Sequence, residues 1–171
     1  MNLVPDNTLI EAVEAYSLFS SGNPDYPVEG MKQIALQEGC SLSSYQDSLG
    51  NWTIGIGHTP SYPHVTWTMQ QCLRQFWLDV NLQGVTPVNL QLPWTRNLGV
   101  IRWWVFVNMS FNMGIGNLLE FQELFTACQN EDWSGAVAAM KNSLWYQQVP
   151  NRVDALAHQM LTNQWVIGYL N

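Results

Sequence analysis

The chain has 171 residues, is 47% hydrophobic and only 11% charged, and carries a formal net charge of −7. With only two lysines and four arginines, it lacks the clustered cations needed to track nucleic-acid phosphates or to bind acidic membrane surfaces. Nine tryptophans and eight prolines describe a packed globule rather than a disordered chain, and no apolar run approaches the roughly 20 residues of a membrane span, so no membrane anchor is expected.

The first 27 residues read as an extension. Glu11 and Glu14 interrupt its apolar positions and there is no basic leader, so no secretory signal is expected. Pro5 and Asp6-Asn7 start a short helix with Leu9, Ile10, Val13 and Tyr16 on one side, and "SSGNPDYP" ends it with turn residues. The expected role of this helix is docking onto the rest of the chain; an inhibitory cover or a partner site stays open. From Val28, "VEGMKQIALQEG" reads as a helix stopped by Gly39, which makes Glu38 its last residue.

Between about residues 40 and 67 the pattern changes. "WTIGIGH" alternates and "SLGN" signals a turn, so a small antiparallel sheet of two or three strands is expected, limited by Pro60 and Pro63. Thr66 or Thr68 then caps a linking helix, about 68–82, whose Met69, Cys72, Leu73, Phe76 and Val80 recur at helical spacing. "GVTPVNLQLP" breaks the pattern. A helical lobe follows from about 93 to 171, with helices expected over 95–112, 117–129, 132–141 and 152–164, and with Asp132 and Asn151 as cap residues. Trp103, Trp104 and Phe106 point in different directions on such a helix, which suits core packing better than a sugar-stacking platform. The fold class is α+β: a small β lobe, then a larger all-helical lobe.

The chemistry concentrates at the helix-to-sheet junction. Glu38 ends a helix, Asp47 sits on the hairpin, and Thr53 lies across the turn from it, among glycines that keep the space open. Glycosidic cleavage needs one carboxylic acid to protonate the leaving oxygen and one carboxylate to act on the other side of the sugar. Glu38 fits the acid: it follows "IAL" on a largely apolar helix, at the end of the helix that disfavours further negative charge. Asp47, among polar turn residues, fits the ionised partner, and a threonine hydroxyl can hold a water between base and sugar. Spacing alone equally allows a solvated helix-end glutamate and a turn-forming aspartate. The three cysteines, Cys40, Cys72 and Cys128, are widely spaced and read as buried apolar filler, and the three histidines stand near no Cys-x-x-Cys, so neither a metal nor a cofactor is expected.

"EGCSLSSYQDSLGNWTIGIGHT" resembles the signature of the phage-type lysozymes, the muramidases of T-even bacteriophages and their relatives (glycoside hydrolase family 24). Glu38, Asp47 and Thr53 match it without a gap. A second stretch, "VNMSFNMGIG" and then "NEDWSGAVAAMKNSLWYQQVPNR", matches independently, and the resemblance covers about residues 28–165. It implies a lysozyme-like fold with a cleft between the lobes, and an inverting hydrolase of the β-1,4 bond between N-acetylmuramic acid and N-acetylglucosamine. Glu38 would be the general acid, and Asp47, helped by Thr53, would orient the attacking water. Thr59 and Phe111 match sugar-contacting positions. Arg152 matches an arginine that pairs with the acid. His58 and Asp79 match an ion pair joining the β lobe to the linking helix, a role that fits His58 better than general base because the acid and base roles are filled.

The implied partner is bacterial peptidoglycan, met by a monomer. The implied setting is a phage-encoded protein made in the host cytoplasm and acting on the periplasmic wall, either as a free lysis enzyme or as part of the virion. Two polar cleft positions of relatives fall on Leu124 and Ala139, which cannot hydrogen-bond a sugar. The acidic charge points to thin Gram-negative peptidoglycan, since anionic wall polymers would repel it. A non-catalytic wall-binding or structural protein and a lytic transglycosylase are the rival readings.

Overall fold

The computed structural model describes residues 3–19, 23–47, 50–59 and 61–169. Within them the chain is mostly helical with one two-stranded antiparallel sheet, the α+β make-up expected of a lysozyme-like fold. It divides into two compact units, residues 1–81 and 82–171.

The first unit begins with α1, Asp6–Phe19, and α2, Val28–Glu38. Leu9 and Val13 of α1 are fully buried, and the helix packs on α2 and on α3. Lys32 of α2 holds Glu14 at 2.7 Å across this packing. Residues 20–22 of the turn expected after α1 lie outside the described residues, as do Ser48 and Leu49 of the hairpin turn and Pro60. Strands β1, Ser41–Gln46, and β2, Trp52–Gly55, pair with Tyr45 opposite Thr53 and Gln46 opposite Trp52, and an irregularity separates this register from the Ser41–Gly55 pair. Single bridges join Leu3 to Ser41 and Ser43 to Thr66, so the segments flanking the hairpin extend its pairing.

Helix α3, Met69–Val80, is capped by Thr68 rather than Thr66. Thr68 and Gln71 form a reciprocal capping box: the Gln71 N–H donates to the Thr68 hydroxyl, and the Thr68 N–H donates to the Gln71 side chain at 2.8 Å. Thr66 is instead committed to the bridge with Ser43.

In the second unit the stretch expected to break helicity is itself helical. A π-helical turn, Asn81–Val85, begins at the end of the first unit, and α4, Thr86–Gln91, follows directly. Pro87 is the second residue of α4, and the Gln83 carbonyl four residues before it accepts instead from the Ser110 hydroxyl at 2.6 Å. A 3₁₀ turn, Pro93–Leu98, precedes α5, Val100–Met113, so the helix expected from residue 95 starts beyond Gly99.

The helix expected over 117–129 is two helices, α6 (Ile115–Leu118) and α7 (Gln122–Gln129), separated by a turn at 119–121. Asp132 caps α8, Trp133–Lys141, by accepting from the Gly135 N–H at 2.9 Å. A short helix that the pattern did not signal, α9 (Leu144–Gln148), follows. The last helix, α10 (Pro150–Thr162), starts at Pro150 with Val149 in the cap position, so Asn151 lies inside its first turn. Proline's fixed φ suits that first position better than a cap exchange at Asn151 would.

The core of this unit is Trp103, Trp104, Phe106, Leu118, Leu124, Leu156 and Met160, all fully buried, so the aromatic cluster of α5 packs inward. Among the described residues no helix is long and apolar enough to cross a membrane.

Replacing Thr68 by alanine removes the hydroxyl that accepts from the Gln71 N–H, while the backbone N–H that donates to Gln71 stays, and is expected to cost about 1 kcal/mol. Thr66→Ala should stay within about 0.5 kcal/mol. Urea melts of the two variants beside the parent chain separate these outcomes.

Candidate active site

Glu38 is the last residue of α2 because Gly39 turns the chain out of the helix at φ +70°, its N–H closing on the Ala35 carbonyl at 2.9 Å. The Glu38 side chain is half-buried and runs along the backbone of Gly57. A Cβ at residue 57 would stand 2.9 Å from Glu38 Oε2 and 3.2 Å from its Cγ, and Gly57 itself has φ +68°. Both the space and the backbone conformation at 57 therefore require glycine.

Asp47 stands at the hairpin lip, just past β1. Its carboxylate accepts from the Asn51 N–H at 2.8 Å and from the Asn51 side-chain amide at 3.2 Å, and its own N–H donates to the Asn51 carbonyl at 2.9 Å. Thr53 on β2 is 4% exposed, and its hydroxyl donates to that same Asn51 carbonyl at 3.5 Å. Asn51 thus ties the carboxylate to the hydroxyl.

Opposite Thr53 across the sheet is Tyr45. Its phenol is pushed above the usual range of about 10, first by burial and then by the negative charges of Glu38 and Asp47. One side chain therefore feels both carboxylates.

The segment Ile54–His58 closes on itself: the Ile54 N–H donates to the His58 carbonyl at 3.0 Å, and the His58 N–H returns to Ile54 at 3.1 Å. This tight return carries Gly57. It is anchored by His58, whose Nδ1 lies 2.8 Å from Asp79 Oδ2 on α3. The other Asp79 oxygen accepts from Gln75 Nε2 at 2.9 Å, and the imidazole rests 5.5 Å from the Trp67 ring. Asp79 is buried, and these two partners employ both of its oxygens. Thr59, the next residue along, is exposed.

The first unit thus brings together Glu38, Asp47, Thr53, His58 and Asp79. Phe111 and Arg152 belong to the second unit: Phe111 is half-buried on α5, and Arg152 is buried in the first turn of α10. That unit also has a groove of about 390 Å³ whose walls include Gln122, Leu124, Ala139, Asn142 and Ser143. Leu124 and Ala139 contribute no hydrogen-bonding group to it, whereas Gln122, Asn142 and Ser143 do. Among the described residues no cluster of three or more His, Cys, Asp or Glu side chains could hold a metal ion.

Sequence reading passed over Asn51 and Tyr45, and took Gly57 only as one of the glycines that keep the hairpin open. Asn51 was visible as the residue four after an aspartate across a turn, a spacing from which a side-chain carboxylate can accept a backbone N–H. Tyr45 required the strand register, and Gly57 required the path of the Glu38 side chain.

The phage lysozyme family model matches residues 35–161, well over half of the chain and a span that contains all eight of the residues singled out above. The chain belongs to the phage lysozyme family. Among its relatives, "Probable T4-type lysozyme 1" of Dictyostelium discoideum is 28% identical over 145 residues, covering 70% of this chain and 85% of that protein. "Pre-baseplate central spike protein Gp5" of Enterobacteria phage T4 is 27% identical over 189 residues, covering 94% of this chain but 33% of the spike protein. "Peptidoglycan hydrolase gp36" of Pseudomonas phage phiKMV is 28% identical over 136 residues, covering 75% of this chain and 15% of that protein. The chain therefore spans a third or less of the two phage relatives.

Gly57→Ala is expected to destabilise the protein by roughly 1–2 kcal/mol through its left-handed backbone alone, and to displace the Glu38 carboxylate. A urea melt reads the first effect and a crystal structure of the variant reads the second. Asp79→Ala strands His58 Nδ1 and Gln75 Nε2 without their acceptor and should cost roughly 1–3 kcal/mol. Adding His58→Ala to it should cost much less than the sum of the two single changes, as a double-mutant cycle would record.

Proposed function

We propose that this protein is a muramidase that hydrolyses the β-1,4 bond between N-acetylmuramic acid and N-acetylglucosamine in bacterial peptidoglycan with inversion at the anomeric carbon. Support comes first from the family, and from relatives whose names denote lysozymes and a peptidoglycan hydrolase. The observation that carries the chemical reading is local: a helix-end carboxyl lies along the bare backbone of Gly57, and a hairpin-lip carboxylate is tied through Asn51 to a buried threonine hydroxyl.

In this mechanism Glu38 protonates the glycosidic oxygen as the bond to the anomeric carbon breaks. Asp47 takes the proton of the water that attacks from the opposite face, and Thr53 holds that water. Asn51 fixes the orientation of the Asp47 carboxylate with two donors. Gly57 leaves room for the acid. Thr59 and Phe111 are the sugar-contacting positions of this reading, and Arg152, His58 and Asp79 are supporting residues. None of these steps calls for a metal or cofactor.

The alignment with the phage T4 spike protein takes in 94% of the chain and therefore part of residues 1–27, beyond the span of the family model. This favours a virion-borne enzyme acting at wall penetration over a free lysis enzyme. An antibody raised against the chain would label purified particles of the encoding phage in the first case and leave them unlabelled in the second.

Purified peptidoglycan incubated with the protein should yield fragments with new reducing ends, seen by mass spectrometry. Anhydro-sugar ends would identify a transglycosylase instead, and an unchanged polymer would leave only a binding or structural role. The first product should have the α configuration when trapped before mutarotation; a β product would require a covalent intermediate. Glu38→Gln should lower turnover by about 10²–10⁴-fold without unfolding the protein, because the amide cannot donate the proton. A folded variant retaining a tenth of the parent activity would refute the assignment of the acid.

A further inference from the structure

Helix α3 uses two of its faces internally. Cys72, Phe76 and Val80 are buried, and Trp77 lies against Tyr16 of α1 with the ring centroids 4.9 Å apart. Gln71, Arg74, Gln75 and Leu78, at i, i+3, i+4 and i+7, form a third face. Together with Trp67, just before the cap, they line a groove of about 290 Å³. The groove contains none of the eight residues singled out above. Its size is near the lower end of the roughly 300–1,000 Å³ of small-ligand clefts, which suits one sugar unit rather than a strand.

The fold presets the polar groups of this face. A backbone N–H can donate only to an amide's oxygen, so the Thr68 N–H holds Gln71 Oε1 at 2.8 Å and leaves the Gln71 NH2 as the uncommitted end. A carboxylate can only accept, so Asp79 takes Gln75 Nε2 at 2.9 Å and leaves the Gln75 carbonyl oxygen. Trp67 is half-buried, its ring 5.5 Å from the His58 imidazole, and Leu78 is 47% exposed. Arg74 is exposed. Of the other cationic side chains, Lys32 and Lys141 pair with carboxylates, Arg96 and Arg102 lie over tryptophan rings, and Arg152 is buried. Among the described residues Arg74 has no such partner.

We propose that this groove is a second carbohydrate site, taking the N-acetylmuramic acid unit of a glycan strand whose peptide has been removed, so that its lactyl group is a free carboxylate. The choice of polymer rests on the proposed function; the fit rests on the groove. An acetamido group offers one N–H and one carbonyl, the complement of the Gln75 oxygen and the Gln71 NH2. The lactyl carboxylate meets the Arg74 guanidinium in a charge-assisted hydrogen bond. The C–H face of the sugar ring covers Trp67 and Leu78, apolar walls around a few placed polar groups. N-acetylglucosamine shares the acetamido group but lacks the carboxylate, so Arg74 is the residue that tells the two sugars apart. A chain of net charge −7 repels anionic polymer over most of its surface. One uncommitted guanidinium beside an aromatic ring therefore gives the strand a defined place to bind.

The test is an NMR titration of the isotope-labelled full chain with N-acetylmuramic acid and, separately, with N-acetylglucosamine. Neither monosaccharide has a glycosidic bond to cleave, so turnover does not enter the readout. N-acetylmuramic acid should shift the Arg74 Nε–H and the Gln71 side-chain NH2 saturably, and N-acetylglucosamine should bind there about tenfold more weakly. Arg74→Ala removes an exposed side chain; the variant should melt with the parent chain and bind the two sugars equally. Four results would overturn the proposal: no shift at these groups, equal affinity of the parent chain for both sugars, a preference that survives in Arg74→Ala, or shifts of the groove on concentrating the chain alone, which mark a self-docking face. Peptidoglycan hydrolysis is measured separately. An active enzyme whose groove does not titrate refutes this site alone, and a titrating groove on an inactive chain refutes the hydrolase reading alone.

Discussion

The Glu38 side chain occupies the place where a side chain at residue 57 would have to go. This one packing constraint organises the first unit. It demands a residue without a Cβ at 57, and the left-handed backbone there makes the same demand. The chain can hold that conformation because the Ile54–His58 return is closed by two hydrogen bonds and pinned to α3 by the His58–Asp79 contact. Helix α3 is in turn fixed at its start by the Thr68 capping box. Cap, helix, His58–Asp79 contact, turn and Glu38 form one mechanical series, and local rigidity of this kind is what the proton donor of the proposed mechanism needs.

The hairpin answers a different requirement. A carboxylate that is to act on water must keep its orientation. Asn51 supplies this by giving Asp47 two donors from one residue while its carbonyl receives the Asp47 N–H and the Thr53 hydroxyl. Pairing Tyr45 with Thr53 sets the phenol across from that hydroxyl and within the field of both acids. Burial first, and then the charges of Glu38 and Asp47, push that phenol upward.

Features written in local chemistry were legible in the sequence. Gly39 ended α2, a threonine before α3 capped it, and Asp132 capped α8, because each depends on a residue and its neighbours within a turn. The alternation of "WTIGIGH" marked a strand for the same reason. The helical content of 81–91 was hidden, since Pro87 reads as a breaker unless the helix start is known, and there the proline sits in the first turn. The gap between α6 and α7 and the short helix α9 were hidden because one helical turn is too brief for a period to register. At the site, residue types and spacing singled out the two acids and the threonine, but Asn51, Tyr45 and Gly57 act through register and through the path of another side chain. Those are tertiary facts, which no window of sequence contains.

Residues 3–19 acquire a physical meaning from the same accounting. The Val4 N–H bonds the Cys40 carbonyl and Leu3 bridges to Ser41, so the first residues described add a short pairing to the segment that immediately follows Glu38 and Gly39. Leu9 and Val13 bury α1 against its neighbours, and Lys32 clasps Glu14 on α1 and Glu29 on α2. In a chain with six cationic side chains, spending one on this junction marks it as a fixed contact rather than a tethered tail. Helix α2 is therefore held along its length by α1, and the two residues past Gly39 by the strand-like start of the chain. The acid at the end of α2 lies between these two restraints, and the segment preceding the family's matched span helps to set where its carboxyl group stands.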